Sequence, residues 1–318
     1  MTFLKISKVI KAYQKDKPIL SDFSMNINSG QVISLVGESG SGKSTLLRII
    51  AGTENRDSGE VYLGDMLIQN PKEKLVPGYD EIQLVYQEYK LYPNSTVEEN
   101  ILRPLLLYDK SYRKYRLEKL LELLGLQDFR NNLPKELSGG QQQKVAIARA
   151  LSLEPKVLLL DEPFSSLDTI QRRELITELK NMFKSLGVTV IFVTHDLDDA
   201  LQLTDQLVIL QNGKIVQEGK PAEIFSKPQN MYAAKLFSHL NKIPGKKKKF
   251  IRPTDISLFK TSGLPVLVKD VQYLVHYNQL TVKLSNGEIW LLEDKNRKFA
   301  INEKLHVKWE PEKELLIK

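Results

Sequence analysis

The chain has 318 residues, 42% hydrophobic and 27% charged, the balance of a globular protein with apolar area for one large domain or two ordinary ones. It contains no cysteine, which excludes disulfides, thiol catalysis and cysteine-ligated zinc or iron–sulfur sites. Its longest apolar runs, such as Val188–Val193, are strand-sized, well short of the ~20 residues that span a bilayer. The start has a lysine every few positions and no apolar run of signal-peptide length, so a soluble cytoplasmic chain is expected. The net charge is +7, unevenly placed: residues 1–245 carry 31 basic and 30 acidic side chains, residues 246–318 carry 15 and 9. Much of the excess is Lys246–Lys249 after Pro244-Gly245, which reads as a solvated linker or, secondarily, a contact for anionic lipid headgroups. With the main body nearly neutral, nucleic-acid binding is not supported.

Strand and helix signals alternate along the first 240 residues. Gln31–Val36 is a nearly continuous apolar run, as expected of a strand buried on both faces of a mainly parallel sheet. Lys43–Ala51 reads as a helix, and Arg113–Leu124 as another with Leu117, Leu120, Leu121 and Leu124 on one stripe. Gln142–Leu151 is a third helix, Val157–Leu160 a second buried strand, Thr169–Leu186 a long helix and Val188–Val193 a third strand. Such alternation implies right-handed crossovers with helices on both faces of a sheet. Beyond the lysine run the period changes to short alternating stretches, 264–268, 279–284, 288–292 and 304–309, broken by Asn286-Gly287 and Glu310-Pro311. That is a hairpin-rich, all-β pattern. Two domains are expected, 1–245 with a helical subdomain at about 88–150, and 246–318.

Gly37-Glu38-Ser39-Gly40-Ser41-Gly42-Lys43-Ser44, followed by Thr45, fits G-x-x-x-x-G-K-[ST] between a strand and a helix. The glycines let backbone N–H groups turn inward around phosphate oxygens, and the helix N-terminus adds partial positive charge. Lys43 would reach the β- and γ-phosphates, and Ser44 would offer its hydroxyl to Mg²⁺. Val157–Leu160 runs into Asp161-Glu162; ligands of open α/β sheets bind beyond the carboxyl ends of strands. Asp161 suits water-mediated Mg²⁺ coordination and Glu162 suits polarising the attacking water. Leu137-Ser138-Gly139-Gly140-Gln141 places a serine and two glycines at a further positive helix end. One ATP hardly needs two such surfaces from a single chain.

On these motifs the sequence resembles an ATP-binding cassette (ABC) ATPase, over residues 1 to about 240, and is similar to the importer subunits of the maltose, polyamine and ferric-iron group. The resemblance implies ATP and Mg²⁺ as ligands, a P-loop α/β fold with mainly parallel sheet and helical subdomain, and an appended OB-like all-β barrel. It implies that Tyr13 stacks on adenine, and that Gln87 senses Mg²⁺ and water and links to membrane subunits. It further implies that Ser138, Gly139, Gly140 and Gln141 contact the γ-phosphate held by a second copy in a head-to-tail dimer. Ser165–Asp168 would cross that interface and His195 would contact the γ-phosphate. Partners implied are the second copy, integral membrane permease subunits and, indirectly, a substrate-binding protein, at the cytoplasmic face of the cell membrane. Departures from the group's pattern are Lys144 in place of arginine, an unusual run at 70–82 and a tail of about 70 residues, shorter than usual. A nucleotide kinase or GTPase is disfavoured because no Asn-Lys-x-Asp guanine specifier occurs. An exporter ATPase or a non-transport cassette protein is the alternative, with Val97–Ile101 and the β-rich tail favouring the importer.

Overall fold

The computed structural model describes residues 3–14 and 17–317. They form two compact units, one ending at Pro221 and the other beginning at Ala222. The first runs β1 (Leu4–Gln14), β2 (Lys17–Ile27), β3 (Val32–Val36), α1 (Lys43–Ile50), β4 (Ser58–Leu63), β5 (Met66–Leu67) and β6 (Ile82–Val85). It continues through α2 (Val97–Leu102), α3 (Lys110–Leu124), α4 (Gly139–Leu151), β7 (Val157–Asp161), α5 (Thr169–Leu186), β8 (Thr189–Thr194), α6 (Leu197–Leu203), β9 (Gln206–Gln211) and β10 (Lys214–Gly219).

A six-stranded sheet in the order β10-β9-β3-β8-β7-β6 carries the expected parallel core, with β10 antiparallel at one edge. Every residue of β7 and β8 is buried, which is why both read as unbroken apolar runs. Register decides what the sheet presents: Val36 pairs with Thr194 and Asp161 with Val193. The chain therefore leaves β3, β7 and β8 at one level, and Gly37, Glu162 and His195 emerge along a single sheet edge. The second sheet, β2-β1-β4-β5, is antiparallel, and its hairpin of two 11-residue strands was not anticipated from sequence. Its apolar residues alternate with polar ones, and Leu4, Ile6, Val9, Leu20, Phe23 and Ile27 close the core over α1. Helices α2 to α4 lie between β6 and β7 in the chain, where a helical subdomain was expected. Helix α4 begins at Gly139, three residues before the expected start, so the Ser138 motif supplies its cap and first turn.

The second unit comprises α7 (Pro221–Ser226, from Ala222 onward), α8 (Met231–Phe237), β11 (Asn241–Lys242), β12 (Lys249–Ile251), β13 (Ser257–Phe259), β14 (Leu264–Tyr273), β15 (Asn278–Leu284), β16 (Ile289–Asp294), β17 (Lys304–Lys308) and β18 (Leu315–Leu316). The expected junction at residue 245 thus falls inside this unit, in the turn joining β11 to β12. The antiparallel sheet β13-β17-β14-β15-β16 is an open half-barrel around Trp290, Val268, Leu280, Val282, Leu292 and Leu305. Its β16 edge is not bare: the buried Asn241 amide donates to Leu291 O at 2.7 Å and accepts from Leu291 N at 2.9 Å, acting as a one-residue strand partner. The linker reading of Lys246–Lys249 is corrected by the same hairpin. Lys246 and Lys249 pair with Glu314 at 2.5 and 2.9 Å, and Trp309 Nε1 donates to it at 3.1 Å. A carboxylate 65 or more residues downstream recruits the lysines, which no local pattern encodes.

Candidate functional site

Two glycines of the loop Gly37–Gly42 stand where the backbone leaves no room for a side chain. A Cβ at Gly37 would lie 2.3 Å from Leu210 O, and one at Gly42 would lie 2.6 Å from Ile19 O. Gly40 and Gly42 also adopt φ of 80° and 98°, the left-handed region that glycine enters freely. Gly42 is the N-cap of α1 and offers no side-chain acceptor, so the first amides of that helix have no cap bond from it. Helix N-termini of this kind bind anionic oxygens. Lys43 is buried, and its Nζ donates to Gly37 O at 2.8 Å, Glu38 O at 2.9 Å and Ser41 Oγ at 3.4 Å, which holds the ammonium inside the turn. Burial pulls its pKa below the ordinary lysine value, and Glu162 and Asp161 oppose that pull. Glu38, Ser39 and Gly40 form the exposed lip of the loop, and Thr45 is buried behind it.

Ser44 Oγ donates to Asp161 Oδ1 at 2.7 Å, joining α1 to the end of β7 across 117 residues. Asp161 is 4% exposed, and burial pushes its carboxyl upward against the Ser44 hydrogen bond. A buried carboxylate beside a hydroxyl at the mouth of an anion cradle fits Mg²⁺, which binds through one or two side chains plus substrate phosphates. Glu162 follows in the left-handed region at φ 47°. Its Oε2 meets His195 Nδ1 at 3.2 Å. The structure thus brings Lys43, Ser44, Asp161, Glu162 and His195 together at one sheet edge.

The turn after His195 is braced from α5. Arg172 donates to Asp199 Oδ1 at 2.7 Å through Nε and contacts Asp199 Oδ2 and Asp196 through Nη2. Asp168 caps α5 by accepting from the amides of Ile170 and Gln171 at 2.9 and 3.0 Å. The loop 165–168 is thus connected, through one helix turn, to the histidine. Sequence reading missed Arg172, because its acidic partners lie 24 and 27 residues away in another element.

Gln87 is exposed and donates to Ser165 Oγ at 3.3 Å, which places it on the 165–168 loop. Ser138 caps α4 in a closed box: its Oγ accepts from Gln141 N at 3.3 Å and Gln141 Oε1 accepts from Ser138 N at 2.8 Å. The serine O–H remains a donor for an external oxygen. Gly139 is backed by this same 165–168 loop, since a Cβ there would touch Leu167 Cδ2 at 3.3 Å and Ser166 O at 3.7 Å; one at Gly140 would sit 3.5 Å from Gln171 Oε1. Tyr13 stands apart, 56% exposed, with its hydroxyl donating to Glu54 at 3.2 Å and Lys11 Nζ 5.0 Å from its ring centre. Lys144 pairs with Glu178 at 2.5 Å, so the lysine keeps a charged role. In the 70–82 run, Leu75 and Val76 are 100% and 71% exposed.

The sequence profile of the family described as ABC transporter matches residues 20–165. The spermidine/putrescine import ATP-binding protein PotA of Thermotoga maritima is 42% identical over 236 residues, 74% of this chain and 63% of that protein. The protein of the same name from Bacillus cereus is 35% identical over 329 residues, 98% of this chain and 99% of its own length. The sulfate/thiosulfate import ATP-binding protein CysA 2 of Agrobacterium fabrum is 40% identical over 76% of this chain and 71% of that protein. Among solved structures, the dimeric post-hydrolysis state of the ATP-binding cassette MJ0796 with ADP and Pi matches with a TM-score of 0.60 at 33% identity, covering 68% of this chain and 98% of that one. The structure of cbiO1 from Clostridium perfringens, part of an ABC transporter complex, matches with a TM-score of 0.64 at 29% identity, covering 71% and 91%.

Proposed function

From the premise that this chain belongs to the ABC transporter ATP-binding family, we propose that it hydrolyses Mg²⁺-bound ATP to drive import of a polyamine through a membrane permease. The observation that carries the chemistry is the joined set Ser44–Asp161 and Glu162–His195 on one sheet edge, beside a buried Lys43 in a glycine cradle. Residues Gly37–Thr45 wrap the triphosphate with backbone amides, and Lys43 neutralises its terminal oxygens. Ser44 and Asp161 would hold Mg²⁺, which would supply charge neutralisation to the triphosphate. Glu162 accepts a hydrogen bond from the attacking water, and His195 orients Glu162 and reaches toward the γ-phosphate. Gln87 follows the ion and the water from the rim, and Tyr13 offers its open ring to the base.

The site is completed by a second copy. Ser138, Gly139, Gly140 and Gln141 lie on an outward-facing helix start whose serine proton is available, and the related cassette MJ0796 was solved as a dimer. Head-to-tail pairing brings that turn to the partner's γ-phosphate. The dimer docks on permease subunits at the cytoplasmic face of the membrane, which a substrate-binding protein serves in turn; among the described residues no helix is long and apolar enough to cross a membrane. Polyamine is preferred to sulfate because relatives named for spermidine and putrescine align over both units. The test is uptake of labelled spermidine and sulfate by cells carrying wild-type or Glu162→Gln protein. Spermidine uptake lost with Glu162→Gln supports the proposal. Sulfate uptake lost instead corrects the cargo, and unchanged uptake of both rejects the transport role.

A further inference from the structure

Between β6 and α2 the chain makes a turn that local sequence does not favour. Tyr89 and Lys90 follow one another with φ of 57° and 48°, two successive non-glycine residues in the left-handed region. Such backbone persists only where surrounding groups hold it. Here the holder is Arg149 of α4, whose guanidinium donates to Tyr89 O at 3.0 Å and to Lys90 O at 2.7 Å. The same guanidinium sits 5.6 Å from the centre of the Tyr92 ring, which Arg103 covers at 4.0 Å. The turn is thus clamped from the helix that begins with the Ser138 motif.

The clamp has a directed result. It buries the Tyr89 ring to 9% exposure and brings its hydroxyl onto Ser166 Oγ, 77 residues away. The phenol oxygen also lies 3.9 Å from where a Cβ on Gly139 would stand. Two residues earlier Gln87 donates to Ser165, and Ser165 Oγ in turn donates to Glu162 O at 3.0 Å. The Gln87 loop, the 165–168 loop and the Gly139 turn therefore meet at one side chain, and that side chain is held in place by strained backbone. We infer that Tyr89 is a positioning residue for hydrolysis, its hydroxyl bond to Ser166 setting the 165–168 loop and the neighbouring Gly139 turn from the Gln87 side. This rests on the ATPase reading above. It adds a residue that acts through Ser166 and touches neither nucleotide nor ion.

Tyr89→Phe removes the hydroxyl while keeping the ring, and Ser166→Ala removes the exposed partner, so neither change opens a large cavity. In the purified full-length chain each variant should lower the kcat for ATP by about five- to tenfold, because without that hydrogen bond the 165–168 loop leaves its productive placement. The ATP KM should stay within about twofold, because the Gly37–Thr45 cradle is untouched. The double variant should lose no more than the worse single, since both changes break one bond. A Tyr89→Phe kcat equal to wild type overturns the inference, as does a double variant that multiplies the two losses or a loss confined to KM. A wild-type chain without ATP turnover, or one that Glu162→Gln leaves active, overturns the ATPase reading itself.

Discussion

In the first unit the buried polar groups Lys43 and Asp161 are bonded to loop carbonyls and to a serine hydroxyl at an open sheet edge. In the second unit the buried Asn241 and Asp294, and the half-buried Glu314, are bonded to the backbone of a neighbouring strand, to successive amides, and to lysines and an indole. The difference lies in what the partner can do next. A donor held by a loop carbonyl can exchange it for a ligand oxygen and a carboxylate held by a hydroxyl can turn to a cation, whereas a group holding a strand cannot leave without opening a core. Substitutions in the first unit should therefore change activity with little change in stability, and those in the second should do the reverse.

The largest separation is expected from Glu162→Gln, which keeps shape and removes the acceptor for the water's proton. Turnover should fall by about 10²–10⁴-fold with ATP binding and melting temperature near wild type, read by steady-state hydrolysis and nucleotide titration. Lys43→Ala should instead weaken ATP binding by about ten- to a hundredfold, the loss of charge-assisted contacts to phosphate. If either variant mainly unfolds the protein, the comparison breaks at its first side. On the other side, Asn241→Ala leaves the Leu291 N–H and C=O without their partner and should cost about 1–3 kcal/mol of stability. Both tryptophans, Trp290 and Trp309, lie in this unit, their rings 5.6 Å apart, so their fluorescence during denaturant unfolding reads the loss directly. ATP turnover before unfolding should not change.

Acid provides the smallest and sharpest contrast. Lys246, Lys249 and Trp309 hold Glu314 down from 4.5 to about 2. A carboxyl lowered on folding stabilises the protein above its unfolded pKa and loses that stabilisation as pH falls through the folded one. Tryptophan emission should accordingly report weakening between about 4.5 and about 2, and Glu314→Gln should flatten that slope. Asp161 moves the opposite way, because burial raises it. Without Mg²⁺ it takes up its proton at a higher pH than an ordinary carboxyl, so Mg²⁺ binding to the free protein should weaken on the acid side before the β unit loosens. Coincident loss of Mg²⁺ binding and tryptophan signal on acidification would erase the distinction.

The chain order of residues determined a great deal. The parallel core, the helices α1, α3 and α5, the cradle from Gly37 to Thr45 and the Asp161-Glu162 strand end are all short-range patterns, since apolar period and glycine placement act within a few residues. The tail's strands were legible for the same reason. Tertiary structure alone decided the rest. The antiparallel hairpin of β1 and β2 depends on packing over α1. The division at 221 rather than 245 follows from Asn241 and Glu314 tying residues 241–249 to strands far downstream. The Arg172 brace and the Tyr89–Ser166 link are likewise contacts across 24 to 77 residues. A local pattern records which conformation each segment prefers. It carries no term for the partner that a charge or hydroxyl meets once distant segments are packed together, and in this protein those partners set the domain boundary and brace the candidate site.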